Sequence, residues 1–194
     1  LFGSRFVRPI CADLSACESI NIVVENYRFS KSERRKFSTI STTRTLIQTP
    51  QVTQTHRDLF EKYHQHMKDK RGWPHEKTSP KHYYMSFVHG HGDFGYEVLY
   101  YIDEVLVGID LIDILPNGIS SIYFYYDPDY SEYSLGTYSM LEQISMAKEK
   151  ELAWIYLGYY VLGCQSLAYK SRYKPYQVLQ GRPWDAHDPN WSPA

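Results

Sequence analysis

Between residues 82 and 150 several β-rich runs follow one another with little between them, and then a single long helical pattern takes over. That order limits the possible folds of this 194-residue chain more than any other feature. His82 to His89, Tyr96 to Tyr101 and Val105 to Ile114 are rich in Tyr, Val and Ile and predict three strands, with Asp103-Glu104 as the turn between the last two. Pro116-Asn117-Gly118 is a strong turn signal, and Ile119 to Tyr126 predicts the next strand. After Asp127-Pro128 a helix is expected from Ser134-Leu135 to about Lys150, with Leu141, Ile144 and Ala147 on its buried side. Ala153 to Leu157 predicts another strand, and Gln165 to Tyr173 a short helix.

Upstream, Ile20 to Phe29 alternates roughly and predicts a strand, followed by a polar, basic segment from Ser30 to Lys36. The Ser/Thr-rich stretch from Ser38 to Thr45 predicts a loop and the best domain boundary, dividing a small N-terminal subdomain (1–45) from a larger domain (46–194). Thr53 is placed to cap a helix whose stripe is Leu59, Phe60, Tyr63 and Met67, ended by Gly72 and Pro74. His64 and His66 are two apart on that helix and face different directions, so they do not make a metal pair. The fold class expected is mixed α/β (α+β), with a central, mainly antiparallel sheet flanked by helices.

The composition suits a globular domain: 43% hydrophobic and 22% charged residues, with a length able to bury a sizeable core. Aromatic residues make up 16%, dominated by 19 tyrosines, whose ring and hydroxyl serve cores, wet clefts and base stacking alike. Cys11, Cys17 and Cys164 are too few and too scattered for a disulfide scaffold, and no run is apolar enough to span a membrane. A cytoplasmic location is therefore expected. The chain opens on Leu1 rather than methionine, so upstream residues are expected in the natural protein.

The net charge of −1 argues against a generic DNA binder, but its distribution is uneven. Gly92 to Ala147 contains no lysine or arginine, whereas Arg28, Lys31, Arg34, Arg35, Lys36 and Arg44 form one basic cluster and Lys170, Arg172 and Lys174 another. The run from Tyr125 to Thr137 takes a strand into the start of the central helix. Free amides and the helix dipole at such an end attract phosphate or an oxyanion. Ser134 can cap there, and Gly136 lets a ligand approach the backbone.

Several motifs in this region resemble the C-terminal domain of arginyl- and leucyl-tRNA–protein transferases. They are the tyrosine-rich strand ending at Asp127-Pro128, the SLGT helix start of Ser134 to Thr137, the YLGY strand of Tyr156 to Tyr159, Tyr169-Lys170, and Pro175. FVRPIC with Cys17, followed by FSKSERR, extends the likeness over nearly the whole chain. The resemblance implies an acetyltransferase-like (GNAT-type) fold. It also implies transfer of an amino acid from aminoacyl-tRNA to a protein N-terminus. The lack of a large insertion is similar to compact bacterial members, which implies leucyl-tRNA as donor, proteins with N-terminal Asp or Glu as acceptors, and degradation of the product. No DNA or membrane partner is expected. Arginyl transfer, acetyl transfer from acetyl-CoA and a non-catalytic module binding acidic N-termini remain alternatives.

An ester already activated by tRNA requires no cofactor. Some relatives carry an iron–sulfur or zinc site, but Leu14 stands at the middle of the three cysteine positions, which leaves Cys11 and Cys17 as an incomplete ligand set. No metal is expected, and buried or redox-active thiols are the other reading. Tyr126 and Asp127 are the catalytic candidates, to orient the amine or accept its proton, although an Asp before Pro also closes turns. Ser134, Leu135, Gly136 and Thr137 would hold the tRNA acceptor end or the oxyanion. Tyr156, Tyr159 and Tyr169 would line the site, and Lys170 would meet a phosphate. Arg34 and Arg35, with Arg8 and Arg172 behind them, are the candidates for the acceptor carboxylate or for tRNA phosphate.

Overall fold

The computed structural model describes residues 18–39, 43–161, 165–181 and 188–193. The described chain forms two compact units. The first takes in Phe29–Ile114 and Ile122–Glu142, and the second takes in residues 18–28, 115–121 and 143–193.

In the first unit the basic segment is a helix, α1 (Lys31–Thr39), rather than irregular chain. Its start is a reciprocal cap: Ser30 N–H donates to Glu33 Oε2 at 2.7 Å, and Glu33 N–H donates to Ser30 Oγ at 3.2 Å. Strand β2 (Thr43–Gln48) begins inside the segment expected to be a loop. It pairs antiparallel with β3 (Gly95–Ile102), from Thr43 opposite Ile102 to Gln48 opposite Glu97. β3 returns through Asp103 and Glu104 into β4 (Val105–Leu115). Both turn residues have positive φ, 47° and 63°, as a two-residue hairpin turn of the I′ kind requires.

Helix α2 (Gln54–Arg71) starts and stops as expected. Thr53 accepts from His56 N–H, and Gly72 takes the left-handed conformation with φ 68°. The strand expected from His82 to His89 is absent, and the segment is helical instead. Ser79 Oγ accepts from His82 N–H and Pro80 occupies the first turn, which starts α3 (Pro80–Tyr83) and a continuing π-helical turn (Tyr84–Val88). Strand propensity in Tyr and Val was overridden by this cap and by packing of fully buried Tyr83 against Phe60, 5.7 Å between ring centroids. The core of the unit joins Leu59, Phe60, Tyr63 and Met67 of α2 to Tyr83, Leu99, Ile109, Leu111 and Tyr125. Cutting a buried phenylalanine such as Phe60 back to alanine costs about 3–5 kcal/mol.

Strand β5 (Gly118–Tyr126) belongs to both units, as does helix α4 (Leu135–Glu149). In the second unit the first residues of β5 run parallel to β6 (Trp154–Tyr160), Gly118 to Ser120 opposite Trp154 to Tyr156. A Cβ on Gly118 would stand 2.6 Å from the Trp154 carbonyl oxygen, so only glycine fits there. β1 (Glu18–Val23) pairs antiparallel with both β6 and β7 (Tyr176–Leu179), and β8 (Trp191–Pro193) pairs with β7. β1 is shorter than expected, since a turn follows Val23. The predicted C-terminal helix is split into α5 (Gln165–Ala168) and a 3-10 turn (Tyr169–Arg172). The strand order is β2-β3-β4-β5-β6-β1-β7-β8, a mainly antiparallel sheet in a mixed α/β fold, as expected.

Candidate functional site

In the first unit, β5 ends on Tyr126, and at Asp127 the backbone leaves the sheet. The Asp127 N–H donates to the Val107 carbonyl at 2.8 Å, a last sheet bond before a 3-10 helix (Pro128–Tyr133) begins. Asp127 Oδ1 accepts from Asp129 N–H at 3.0 Å, so the turn-closing role anticipated for an Asp before Pro is present. The same oxygen also faces Lys62 of α2, whose Nζ lies 2.5 Å away and 2.7 Å from Asp129 Oδ2. Partial desolvation works against the Lys62 charge, but hydrogen bonds and attraction from Asp127 and Asp129 outweigh it and hold its pKa above the ordinary lysine value. The side chains grade from sheltered to open: Asp127 is 12% exposed, Lys62 43% and Asp129 75%.

Tyr126 is half-buried beside this cluster in sequence, its ring stacked on Phe124 (5.8 Å, 18°) and 5.2 Å from Tyr63. Ser134 links the 3-10 helix to α4 in the left-handed conformation, φ 52°, and its carbonyl accepts from Thr137 and Tyr138 N–H. Leu135 is buried, so its side chain serves the core. Gly136 is exposed, and a Cβ there would meet only the Phe124 ring, at 3.8 Å. The approach to the first turn of α4 at Gly136 is therefore open. Arg34 and Arg35 are exposed on α1.

Lys62 and the His64–Tyr123 pair were missed in the sequence. His64 Nδ1–H donates to the Phe60 carbonyl at 2.9 Å, which leaves Nε2 to accept from the Tyr123 hydroxyl at 2.8 Å. Burial, with the nearby His75 adding to it, pulls the His64 pKa below the ordinary value despite the Phe60 carbonyl and Glu61. Desolvation pushes the Tyr123 hydroxyl well up. No local signal links positions 59 residues apart, and only the packing of α2 on β5 does so. Deeper in the same unit His56 donates to fully buried Glu97 at 3.0 Å, and Gln48 adds a bond to the same carboxylate oxygen. That network is satisfied and structural.

In the second unit, Tyr156 is half-buried and its hydroxyl donates to Asn117 Oδ1 at 3.5 Å. Tyr159 and Tyr169 are 41% and 42% exposed. Lys170, expected to meet a phosphate, is buried. Its ammonium donates to the carbonyls of Leu157 at 2.7 Å and Tyr159 at 2.6 Å, and burial pulls its pKa down to about 8. These bonds brace β6 on both sides of Gly158, which has φ 70°. Arg172 is exposed, while Arg8, Cys11, Leu14, Cys17 and Cys164 lie outside the described residues. Among the described residues no group of three or more His, Cys, Asp or Glu side chains is placed to hold a metal ion, and no helix is long and apolar enough to cross a membrane.

Residues 55–180 match the family model of the C terminus of arginine-tRNA-protein transferases. An aspartate/glutamate leucyltransferase of Campylobacter jejuni is 48% identical over 180 residues, 93% of this chain and 75% of that protein. The protein of the same description from Helicobacter hepaticus is 40% identical over 98% of this chain and 79% of its own length. Among solved structures, L-PGS from Bacillus licheniformis aligns with a TM-score of 0.51 at 12% identity, over 79% of this chain and 49% of that one. FemX aligns with a TM-score of 0.52 at 7% identity, over 73% of this chain and 52% of its own. At such identities the two structures share the fold alone.

Proposed function

Because the chain belongs to the arginine-tRNA-protein transferase family, we propose that it works as an aspartate/glutamate leucyltransferase, moving leucine from leucyl-tRNA to the N-terminal Asp or Glu of acceptor proteins and marking them for degradation. The observation that carries this reading is the 48% identity to the Campylobacter jejuni leucyltransferase across 93% of the chain. It acts in the cytoplasm, where charged tRNA is found.

The ester is already activated, so the protein has three tasks: to bring a neutral amine against the ester carbonyl, to receive its proton, and to stabilise the oxyanion. Placing the two reactants together supplies up to about 7–11 kcal/mol of the barrier. Asp127 stands at the sheltered end of the charged cluster and takes the proton, while the Tyr126 hydroxyl orients the amine. As the new amide forms, the ester bond to the ribose breaks and the ribose oxygen leaves as a hydroxyl. The net proton released passes through Asp127 to solvent. Within the Ser134 to Thr137 stretch, where the Ser134 and Thr137 amides bond to the Ser131 and Ser134 carbonyls, the open first turn of α4 offers the Leu135 and Gly136 amides to the oxyanion or to the acceptor end of the tRNA. No step requires a metal or an organic cofactor.

Arg34 and Arg35 meet tRNA phosphates from the exposed face of α1, and the exposed rings of Tyr159 and Tyr169 offer stacking surfaces for bases. The test is transfer of radiolabelled leucine from leucyl-tRNA to a peptide beginning with Asp, beside parallel reactions with arginyl-tRNA and acetyl-CoA. Transfer from leucyl-tRNA alone supports the reading. Transfer from arginyl-tRNA or acetyl-CoA with none from leucyl-tRNA overturns it.

A further inference from the structure

An acceptor beginning with Asp or Glu carries two opposite charges close together, its α-ammonium and its side-chain carboxylate. A site that selects it must offer the mirror arrangement, a cation beside an anion. The stretch from Gly92 to Ala147 contains no lysine or arginine, so a cation for Asp127 has to come from another segment. Lys62 supplies it, 2.5 Å from Asp127 Oδ1 and 2.7 Å from Asp129 Oδ2, at the end of β5.

We propose that Lys62 selects the acidic acceptor by trading partners with it: the incoming carboxylate takes the Lys62 ammonium, and Asp127, released from that pair, takes the α-ammonium of the acceptor. The assignment rests on the leucyltransferase reading and names the specificity determinant of its acceptor site. Charges then alternate from Asp129 to Lys62 to the acceptor carboxylate and from the acceptor ammonium to Asp127, so no charge is left without a partner. Partial exposure of Lys62 lets a peptide reach it, and the second contact, 2.7 Å to Asp129 Oδ2, keeps Lys62 in place during the exchange.

The exchange also links choice of acceptor to chemistry. Proton transfer runs from the α-ammonium to the Asp127 carboxylate, giving a neutral amine and a carboxylic acid. The amine then forms the amide as the ester bond to tRNA breaks. An N-terminal Asn or Gln has no charge to exchange for Lys62, so Asp127 stays paired and the amine stays protonated. Arg34 and Arg35 are thereby left to tRNA.

The experiment measures kcat/KM for leucyl transfer to peptides that differ only in Asp or Asn at the first position, with wild type, Lys62→Gln and Lys62→Arg. Removing one partner of a close charge pair should lower the Asp-peptide value by about tenfold or more in Lys62→Gln, while the Asn-peptide value rises, because Asp127 is no longer held by Lys62. The preference for Asp therefore collapses, KM for leucyl-tRNA is unchanged, and Lys62→Arg keeps the preference. A preference for Asp that survives Lys62→Gln, with both peptides slowed alike, makes Lys62 a mere support for Asp127 and overturns the assignment. Failure of wild type to transfer leucine to the Asp peptide overturns the leucyltransferase reading itself, a result distinct from the first. Gln is a good helix former at this half-exposed position, and the melting temperature of each variant verifies that α2 is intact.

Discussion

Lys170 donates to the carbonyl of Tyr159 at 2.6 Å, and through its other bond, to Leu157, it spans the left-handed residue Gly158. A lysine used in this way acts on the backbone. Lys170→Met keeps the stem and removes the ammonium, leaving two carbonyls short of a donor. Each such loss costs about 1–3 kcal/mol, so a clear fall in the chemical-denaturation midpoint is expected. The salt dependence of tRNA binding should be unchanged, because no phosphate contact is removed. An unchanged midpoint with a reduced salt slope would return Lys170 to phosphate binding.

Asp127→Asn retains an oxygen to accept from Asp129 N–H, so the turn into the 3-10 helix should form and the melting temperature should change little. The variant has no carboxylate to receive a proton, and loss of a general base lowers rates by about a hundredfold or more. Single-turnover transfer from preloaded leucyl-tRNA measures this step directly. A wild-type rate in the variant would confine Asp127 to shaping the turn.

Gly136→Ala places a methyl group 3.8 Å from Phe124, an ordinary contact, and alanine favours a helix over glycine by up to about 1 kcal/mol. The variant should be at least as stable as wild type. The methyl group nonetheless occupies the open approach to the first turn of α4, so KM for leucyl-tRNA should rise severalfold. A stable variant with an unchanged KM would place the tRNA end elsewhere.

His64 has a pKa lowered from the ordinary 6.5, chiefly by burial. Below pH 6.5 the unfolded chain takes up a proton that the folded chain resists, so stability is lost as the pH falls from 6.5 toward the folded value. Charging Nε2 also removes the acceptor for the Tyr123 hydroxyl. His64→Phe should flatten the slope of stability against pH over that window, as read by denaturant titrations at several pH values. An unchanged slope would mean that another group causes the loss.

The elements readable along the chain were those with local physical signals. Thr53 and Gly72 marked the ends of α2 because a side-chain cap and a left-handed glycine act within one turn of helix. Asp103-Glu104 marked the hairpin, and the apolar spacing of Leu141, Ile144 and Ala147 marked α4. The tyrosine-rich strand ending at Asp127-Pro128 could likewise be read from residue types alone. The segment at 82–89 was misread because its aromatic and β-branched residues fit either a strand or a buried helix, and the burial of Tyr83 beside Phe60 decided between them. β2, β7 and β8 carried too little pattern of their own, and their hydrogen-bond partners lie far along the chain.

The sequence by itself determined the family motifs, the order of the main elements and the acidic, arginine-free character of the segment holding Asp127. Only the tertiary structure decided which cation answers that acid. Lys62 and Asp127 are 65 positions apart and meet because packing of α2 brings the Lys62 side chain to the end of β5. Tertiary structure likewise turned Lys170 inward, toward two carbonyls on β6. Charge type is a local property of the chain, whereas the partner of a charge is set by which elements pack together, and a pattern along the sequence does not carry that information.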